Sequence, residues 1–420
     1  MLDAGCGIRW YNLDRMLQFW QDASPEARRA LVAASLGWLL DAFDVMLYAL
    51  VLASLVAEFD MDLTTGGRLG SLTLASSAVG GVLFGVLADR FGRTRALSWS
   101  ILIYSVFTAA CGLAQTVWQL AAFRVGLGLG MGGEWASGAA LVSETWPAEH
   151  RGKALGVMQS CWAIGYGLAA LVTWLVLPRY GWRAVFLVGV LPALFTLWIR
   201  RHVREPELWQ RSRAAGPSPS FLTVLRGPLA GLTIALTLMN ASTMFAWWGL
   251  NLWIPGYLSL PEAQGGLGYT TTAMTGFVIV MQVGMWLGYV TFGFISDRFG
   301  RRPTYVTYLV AAALLVLLYA STRSPVTLFL LGPFVAFFGT GYFSGFGAIS
   351  AEIFPTAIRA TAQGVTYNIG RLASAAAPLI VGTLAQTRGF SAAFMLTAAA
   401  FVVAAVFWIW IPETRGRSLE

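Results

Sequence analysis

Residues 85–93 read Gly85-Val86-Leu87-Ala88-Asp89-Arg90-Phe91-Gly92-Arg93, and residues 293–301 read Gly293-Phe294-Ile295-Ser296-Asp297-Arg298-Phe299-Gly300-Arg301. The two stretches are 208 residues apart. A second pair of motifs has the same offset: Glu144, Pro147, Arg151 and Gly156 are repeated as Glu352, Pro355, Arg359 and Gly364. Two independent motifs at one offset indicate that the halves of the chain are copies of one structural unit.

Composition indicates that both halves lie in a membrane. Of the 420 residues, 57% are hydrophobic and 11% are charged, whereas soluble domains carry about 25% charged residues. Apolar segments of bilayer-spanning length lie near 32–57, 69–88, 96–115, 118–143, 154–177, 183–199, 228–258, 272–295, 303–320, 326–350, 361–386 and 391–411. Backbone polar groups must be paired inside lipid. We therefore predict an all-α membrane protein with twelve transmembrane helices in two parallel six-helix repeats.

Loop charges predict the orientation of the chain. Arginines and lysines cluster in alternate loops, and such loops stay in the cytoplasm. Both termini are therefore expected in the cytoplasm, for a multi-pass protein of the plasma (inner) membrane. The predicted domains are an N-terminal cytoplasmic segment 1–31, a six-helix bundle 32–199, a cytoplasmic linker 200–226, a second six-helix bundle 227–411 and a cytoplasmic tail 412–420. Within the first segment, residues 19–31 are predicted to form a short interfacial or capping helix on the cytoplasmic side.

Several function classes are not expected. Cys6, Cys111 and Cys161 are too few for a disulfide framework, and His150 and His202 lie in loops, so we expect no metal and no cofactor. No combination of nucleophile, base and orienting group is visible, so we do not expect an enzyme. The net charge of +8 is explained by loop arginines that set topology, and nucleic acid is not an expected partner.

The repeated loop motifs supply candidate gating residues. Aspartate at these positions can cap the N-terminus of the next helix, or it can pair with an arginine across the interface between the halves at the cytoplasmic surface. We expect a charge latch that closes the cytoplasmic side in one state; the alternative is a set of ordinary charges beside the membrane. The candidates are Asp89, Arg90, Arg93, Glu144 and Arg151, with Asp297, Arg298, Arg301, Glu352 and Arg359 in the second half.

These motifs carry a family resemblance. Residues 85–93 resemble the signature between spans 2 and 3 of the major facilitator superfamily, which implies transport by alternating access. Residues 124–130 (RVGLGLG) resemble span 4 of proton-coupled members, and residues 412–416 (PETRG) resemble the end of span 12 in sugar-porter-like members. Residues 37–44 (GWLLDAFD) resemble span 1 of aromatic-acid, sialate and nicotinate proton symporters. Residues 366–371 (TYNIGR) resemble span 11 of nicotinate-type and organic-ion carriers.

Ionisable residues inside the spans are candidates for proton coupling, because charges at that depth are costly and usually functional. Asp41 and Asp44 are three residues apart, so they share one helix face, about 15–20 Å deep. They either take up a proton or form a packing pair neutralised by arginine. Glu134 is a second proton site or an ion-pair partner for span 1; the alternative is a locally hydrogen-bonded, permanently protonated acid. Arg124 either tunes these acids, as the resemblance implies, or extends to the interface as a snorkelling side chain.

Arg371 is the candidate for substrate recognition. It lies about 18 Å into span 11, and a guanidinium binds a carboxylate through two hydrogen bonds. The resemblance to organic-ion carriers also implies that a basic residue in span 11 accompanies anionic substrates; the alternative is that Arg371 only neutralises the acids. Further candidates, each of which can instead be a packing residue, are Asn368, Tyr367, Trp247, Trp248, Asn251, Gln282 and Tyr342. Residues 245–251 lack the glutamine-rich string of sugar porters, which disfavours a sugar.

We therefore predict a proton-coupled symporter of a small organic anion, a carboxylate, which works by alternating access as a monomer in the lipid bilayer. Its partners are the anion and protons. One alternative is a facilitative or antiport carrier of an organic cation or a neutral metabolite. An alternative of another class is a receptor-like membrane protein that does not transport.

Overall fold

The computed structural model describes residues 20–206, 229–354 and 359–415, and these form a bundle of twelve spans. In the first half, the helices are Pro25–Glu58, Leu63–Phe91, Arg93–Cys111, Val117–Thr145, Ala148–Val188 and Leu191–His202. In the second half, they are Ala230–Asn251, Ile254–Ser259, Thr271–Phe299, Arg301–Ser321, Pro325–Thr340, Phe343–Ile353, Arg359–Ser374 and Ala377–Phe407. The predicted all-α architecture is confirmed.

Helix length and apolar composition explain how these elements cross a membrane. Eight continuous helical stretches of the described chain are long and apolar enough to do so. Two of them, His150–Ile199 and Ala362–Phe407, have 50 and 46 residues, more than twice the length of about 20 residues that one crossing needs. They hold spans 5 and 6 and spans 11 and 12. Spans 3 and 4 are the helices Arg93–Cys111 and Val117–Thr145, and span 4 contains Arg124 and Glu134.

Two glycines separate the paired spans. Gly181, with φ 75° and ψ 175°, lies between spans 5 and 6, and Gly389, with φ 83° and ψ 165°, lies between spans 11 and 12. A side chain disfavours this backbone region strongly. The two positions are 208 residues apart, so the sequence repeat is also a repeat of backbone geometry.

We call the end of the bundle that holds the loops at Gly92 and Gly300 the arginine-rich end, and the other the opposite end. Gly92 and Gly300 have φ 113° and φ 105°, and the helices that follow them have no side-chain cap of their own. A distant glutamate supplies it. Glu205 accepts hydrogen bonds from the backbone N–H groups of Thr94 and Arg95 at 3.1 and 3.2 Å.

Glu413 does the same in the second half. It accepts hydrogen bonds from the backbone N–H groups of Arg301 and Arg302 at 2.9 and 3.0 Å. Partial burial raises the pKa of Glu413, but hydrogen bonds from four backbone N–H groups outweigh it, and the net effect is a lowered pKa. Glu205 and Glu413 are also 208 residues apart. Anionic groups at helix N-termini pair with otherwise free N–H groups, so each half fixes its loop by the same contact.

One predicted element differs from the structure. The short helix expected over 19–31 does not end before span 1. From residue 25 onward it is part of span 1, because Pro25–Glu58 is one continuous helix with Ser24 as its N-cap. No residue between 25 and 32 breaks helical geometry, and Ala27, Ala30 and Leu31 are buried like the span itself. The segments 1–19, 207–228, 355–358 and 416–420 lie outside the described residues, so most of the predicted linker and tail remain predictions.

Candidate functional site

Arg371 of span 11 lies at the centre of the molecule, where the two halves meet. Its side chain is 4% exposed. The guanidinium acts electrostatically on two acids of the first half, Asp41 of span 1 and Glu134 of span 4. The three residues that the sequence placed at similar depth in different halves are therefore brought together. A buried cation with two acids around it can exchange one partner for a bound anion, provided that the charge balance is kept.

Glu134 is fully buried and packs against span 1. An ideal Cβ atom placed on Gly37 would lie 2.5 Å from Glu134 Oε1, so only glycine at this position leaves room for the carboxyl group. The Tyr104 hydroxyl donates to the Gly37 carbonyl at 3.3 Å. Neither oxygen of Glu134 has a hydrogen-bond partner among the described residues. The expectation of a locally hydrogen-bonded acid is thus not what the structure shows.

Asp41 and Asp44 are both 1% exposed, but they face different surroundings. Asp41 interacts electrostatically with Arg371 of the other half. Asp44 lies inside the first half, next to Thr108 of span 3 and the break at Gly189, where an ideal Cβ would be 3.0 Å from Asp44 Oδ1. The two side chains still influence each other electrostatically. Only Asp41 contributes directly to the centre between the halves.

Arg124 is completely buried, with 0% exposure. Its guanidinium carbon lies 3.7 Å from the centroid of the Tyr48 ring, and Nε donates to the Leu69 carbonyl at 3.3 Å. A snorkelling side chain at the interface, one of the two expectations, is wrong. Tyr48 lies one helical turn beyond Asp44, so Arg124 lies on the opposite-end side of the acids.

A pocket with about 390 Å³ of empty space adjoins Arg371 between the halves. Four predicted substrate residues line it: Arg371, Tyr367, Trp247 and Trp248. Six lining residues were not predicted: Trp38, Gln159, Trp162, Met244, Tyr289 and Phe343. Most of the wall is aromatic, so it suits a flat or apolar body held next to a single cation.

The other four predicted substrate residues lie outside this lining: Asn251, Gln282 and Tyr342 are buried, and Asn368 is half-buried. Asn251 donates to the Trp247 carbonyl at 3.1 Å, and its own carbonyl accepts from Tyr166 at 3.3 Å. Asn368 donates to the Gly364 carbonyl at 2.9 Å, and Gln282 donates to the Val278 carbonyl at 3.3 Å.

Tyr342 is the fourth residue of this group. It is fully buried in the second half, where its ring packs against Tyr305, Phe343 and Phe401. For these side chains, packing and local hydrogen bonds account for the contacts that the structure shows.

The pocket is bounded toward the arginine-rich end by a stacked pair of rings from the two halves. Trp135 of span 4 and Tyr367 of span 11 have ring centroids 4.0 Å apart and planes only 4° from parallel. Trp135 follows Glu134, and Tyr367 lies one helical turn before Arg371. The stack therefore lies next to both charged residues, Glu134 and Arg371, along their helices.

Sequence comparison agrees with this architecture. The family model of the Major Facilitator Superfamily matches residues 34–291 and 257–419. The chain belongs to the major facilitator superfamily. The superfamily consists of transporters, and this chain is a multi-pass membrane transporter, as the predicted architecture requires.

Curated relatives and a solved structure support the assignment. The transporter is 35% identical to the cis,cis-muconate transport protein of Acinetobacter baylyi, over 90% of this chain and 92% of that protein. It is 31% identical to the niacin transporter NiaP of the same species, over 93% and 95%. The xylose transporter XylE from E. coli has the same fold, with a TM-score of 0.76 at 22% identity, over 94% of this chain and 100% of XylE.

The predicted gating residues form ion pairs within each half of the transporter. Arg93 pairs with Glu144 at 2.9 Å. Arg301 pairs with Glu352 at 2.9 Å and also with Asp297. Both arginine–glutamate pairs join residues of one half, rather than crossing between halves.

The remaining gating candidates are placed as follows. Arg90 is exposed, and Arg298 lies 5.4 Å from the ring centroid of Phe299. Arg151 Nε is buried without a hydrogen-bond partner in the described part of the chain. The side chains of Asp89 and Arg359 lie outside the described residues. A latch role for this set stays a prediction.

The six pocket residues that sequence reasoning missed differ in how visible they were. Trp38 lies three residues before Asp41, so helical spacing places both on one face, and this signal was available. Met244 lies three residues before Trp247 in one helix, so the same signal was available for it. Trp162, Gln159, Tyr289 and Phe343 have no such predicted neighbour, and their position in the pocket depends on how separate spans pack.

Proposed function

We propose that the transporter is a proton-coupled symporter of a small organic carboxylate. The observation that carries the proposal is the buried group of Arg371, Asp41 and Glu134, contributed by both halves and adjoining the aromatic pocket. The relatives that are named for transport of muconate and niacin, two carboxylates, support an anionic substrate. We also propose that the protein works as a monomer in the plasma membrane, with the arginine-rich end and both termini in the cytoplasm.

The proposed cycle follows from charge balance. When the pocket is open to the outside, the substrate carboxylate binds Arg371 through two hydrogen bonds, and Asp41 or Glu134 takes up a proton. The acid that Arg371 had balanced is then neutral, so no uncompensated charge is buried when the halves close. On the cytoplasmic side, separation of Trp135 from Tyr367 opens the pocket. Substrate and proton leave, and the acids pair with Arg371 again.

Transport measurements in proteoliposomes test this function. A proton gradient that is acidic on the side of substrate addition should drive accumulation of a labelled carboxylate, and a protonophore should abolish the accumulation but leave exchange of bound substrate intact. Accumulation that is unchanged by the protonophore would reject proton coupling. Stronger competition by a cationic analogue than by the carboxylate would favour the organic-cation alternative.

The Arg371→Gln variant tests the anion site. We expect carboxylate affinity to fall at least about 30-fold, because removal of one member of a buried charge pair costs about 2 kcal/mol or more. Arg388→Gln, which removes an exposed arginine near the opposite end, is the matched control and should bind as the unmodified protein does. Equal affinity in Arg371→Gln would remove Arg371 as the anion site.

A further inference from the structure

Three tryptophans of the pocket carry hydrogen-bond donors that are not used. The Nε1–H groups of Trp38, Trp162 and Trp247 are buried and have no acceptor among the described residues. Their rings are contiguous: Trp162 lies 4.6 Å from Trp38 and 5.6 Å from Trp247 between centroids. Span 1, span 5 and span 7 each contribute one ring. The three rings therefore line one part of the pocket from both halves.

Tryptophans away from the pocket behave differently. The Trp146 indole donates to the Ala27 carbonyl at 2.8 Å, the Trp182 indole to Glu58 at 2.5 Å and the Trp253 indole to the Pro378 carbonyl at 3.0 Å. A fourth unpaired indole of the described residues, that of Trp408, lines a groove at the arginine-rich end. Among the described residues, the buried indoles without an acceptor thus adjoin cavities, whereas the three indoles away from them have acceptors.

An unpaired buried donor lowers stability unless something else accepts its hydrogen bond. Arg371 lines the same pocket and is already the proposed binding site for one carboxylate. We propose that the indole N–H groups of Trp38, Trp162 and Trp247 form a second subsite, which binds an acceptor oxygen of the substrate other than those of the carboxylate at Arg371. The inference rests on the proposed function, and it narrows the substrate class to flat carboxylates with a second carboxylate or carbonyl oxygen.

Neutral donors have a recognisable preference. Indole N–H groups donate hydrogen bonds but carry no charge. They should therefore bind an ester carbonyl nearly as well as a second carboxylate. They should discriminate against a substrate in which a methyl group replaces the acceptor, because the donors would then stay unpaired. This preference separates the indole subsite from a second cationic site, which would require the charge.

Three ligands with one carbon skeleton test the subsite. We would measure binding of trans,trans-muconate, its monomethyl ester and sorbate to the full-length purified transporter by calorimetry. A parallel series of terephthalate, monomethyl terephthalate and 4-methylbenzoate covers a ring-shaped substrate. We expect the diacid and the monoester of a series to bind about tenfold more tightly than the methyl compound, the effect of one hydrogen bond of about 1.4 kcal/mol. Equal binding of all three compounds, or a preference for the diacid alone, would overturn the subsite.

Variants assign the preference to the indoles. In Trp38→Phe, Trp162→Phe and Trp247→Phe, the preference for the second acceptor should fall about twofold each, so that the three losses together account for the preference of about tenfold. The thermal unfolding temperature of each variant reports correct folding. Phe343→Leu is the matched control, because this ring lines the same pocket and carries no N–H group. It should weaken all three ligands equally. A preference that survives all three test variants would overturn the proposal.

Failure of the proposed function gives a different result. If no carboxylate of either series binds, or if binding is equal in Arg371→Gln, both the anion site and the subsite are rejected. If carboxylates bind through Arg371 without a preference for a second acceptor, only the subsite is rejected.

Discussion

At the scale of single residues, the two aspartates of span 1 show how a shared helix face can serve two environments. Both are 1% exposed, and spacing alone gives them the same expected role. Asp41 interacts electrostatically with Arg371 across the boundary between the halves, whereas Asp44 lies next to Thr108 and Gly189 within the first half. An acid that exchanges its counter-charge with a substrate must reach that boundary. The structure therefore favours Asp41 as the coupling acid.

Asparagine variants separate the two roles. In Asp41→Asn, we expect proton-driven accumulation to be lost, because the residue opposite Arg371 can no longer change its charge, while exchange of substrate across the membrane continues. In Asp44→Asn, accumulation should fall less, and thermal stability should fall because a buried group in a packed site is altered. Accumulation and exchange assays in proteoliposomes measure both. Loss of accumulation in Asp44→Asn but not in Asp41→Asn would contradict the assignment.

Glu413 gives a prediction for pH dependence. Partial burial raises the pKa of Glu413 in the folded protein, but hydrogen bonds from four backbone N–H groups lower it by more. The net effect is a lowered pKa. A group of this kind adds stability above its unfolded pKa of about 4.3, and this stability is lost as pH falls through the lower folded pKa. Glu413→Gln weakens this helix cap, so it should lower the free energy of unfolding at pH 7 by about 0.5–1 kcal/mol. The melting temperature at pH 7 should fall accordingly.

The same variant should lose less stability than the unmodified protein when the pH is lowered from 6 to 4. Thermal unfolding in detergent at the two pH values measures the difference. Glu205→Gln removes the corresponding cap of the first half and should lower the melting temperature in the same direction at pH 7. An equal loss on acidification in Glu413→Gln and in the unmodified protein would show that the cap does not titrate as stated.

Residues were predictable from the sequence where the signal is local. Asp41, Glu134 and Arg371 are charges within apolar runs, and counting residues along each helix gave them similar depths, which their common centre confirms. Trp162 was not predictable, because one tryptophan among 18 in an apolar sequence carries no mark of the cavity beside it. Its position beside the cavity results from the packing of spans 1, 5 and 7 against one another.

At the scale of elements, the offset of 208 residues predicted more than the loop motifs. It also relates Gly181 to Gly389 and Glu205 to Glu413, whose roles became visible only in the structure. Sequence patterns did not predict the breaks after Val188 and Ser374. Such breaks have weak local signals in a uniformly apolar sequence, and packing of neighbouring spans decides where they occur.

The paired glycines allow a test of backbone geometry without steric complications. An ideal Cβ on Gly181 or Gly389 meets no atom within 4 Å, so alanine would cost only backbone strain at positive φ, about 1–3 kcal/mol. We expect Gly181→Ala and Gly389→Ala to destabilise the protein by similar amounts in unfolding measurements. Gly156→Ala is the control within the helix Ala148–Val188. It also meets no atom within 4 Å, and alanine should stabilise the helix by up to about 1 kcal/mol. Equal effects at Gly156 and Gly181 would contradict this account.

At the scale of the whole molecule, the halves are in close contact at the opposite end. The Leu63 N–H donates to Gln386 Oε1 at 2.9 Å, and the Leu379 N–H donates to Ser71 Oγ at 3.0 Å. Gly67 of span 2 lies directly against span 11, where a Cβ would overlap the carbonyl oxygen of Pro378. Alternating access requires these contacts to separate when the pocket opens to that side. The close approach at Gly67 therefore belongs to one of the two states.

A larger residue at Gly67 should shift the balance between the states. Gly67→Leu cannot keep the contact with Pro378, and overpacking of a tight contact costs about 1–3 kcal/mol. A cost of 1.4 kcal/mol in one state alone changes the ratio of states about tenfold. We expect the opposite end to open, with longer distances between spin labels placed at the exposed residues Asp60 and Gln264.

Gly276→Leu is the matched control for this shift. Gly276 lies in the second turn of span 8, at the same end of the bundle, and a Cβ there meets no atom within 4 Å. Its distance distribution should equal that of the unmodified protein. If Gly67→Leu leaves the distribution unchanged although the protein stays folded, the contact with Pro378 is not part of the closed state. If both variants open the opposite end, the shift comes from added bulk near the lipid, and the glycine contact does not control access.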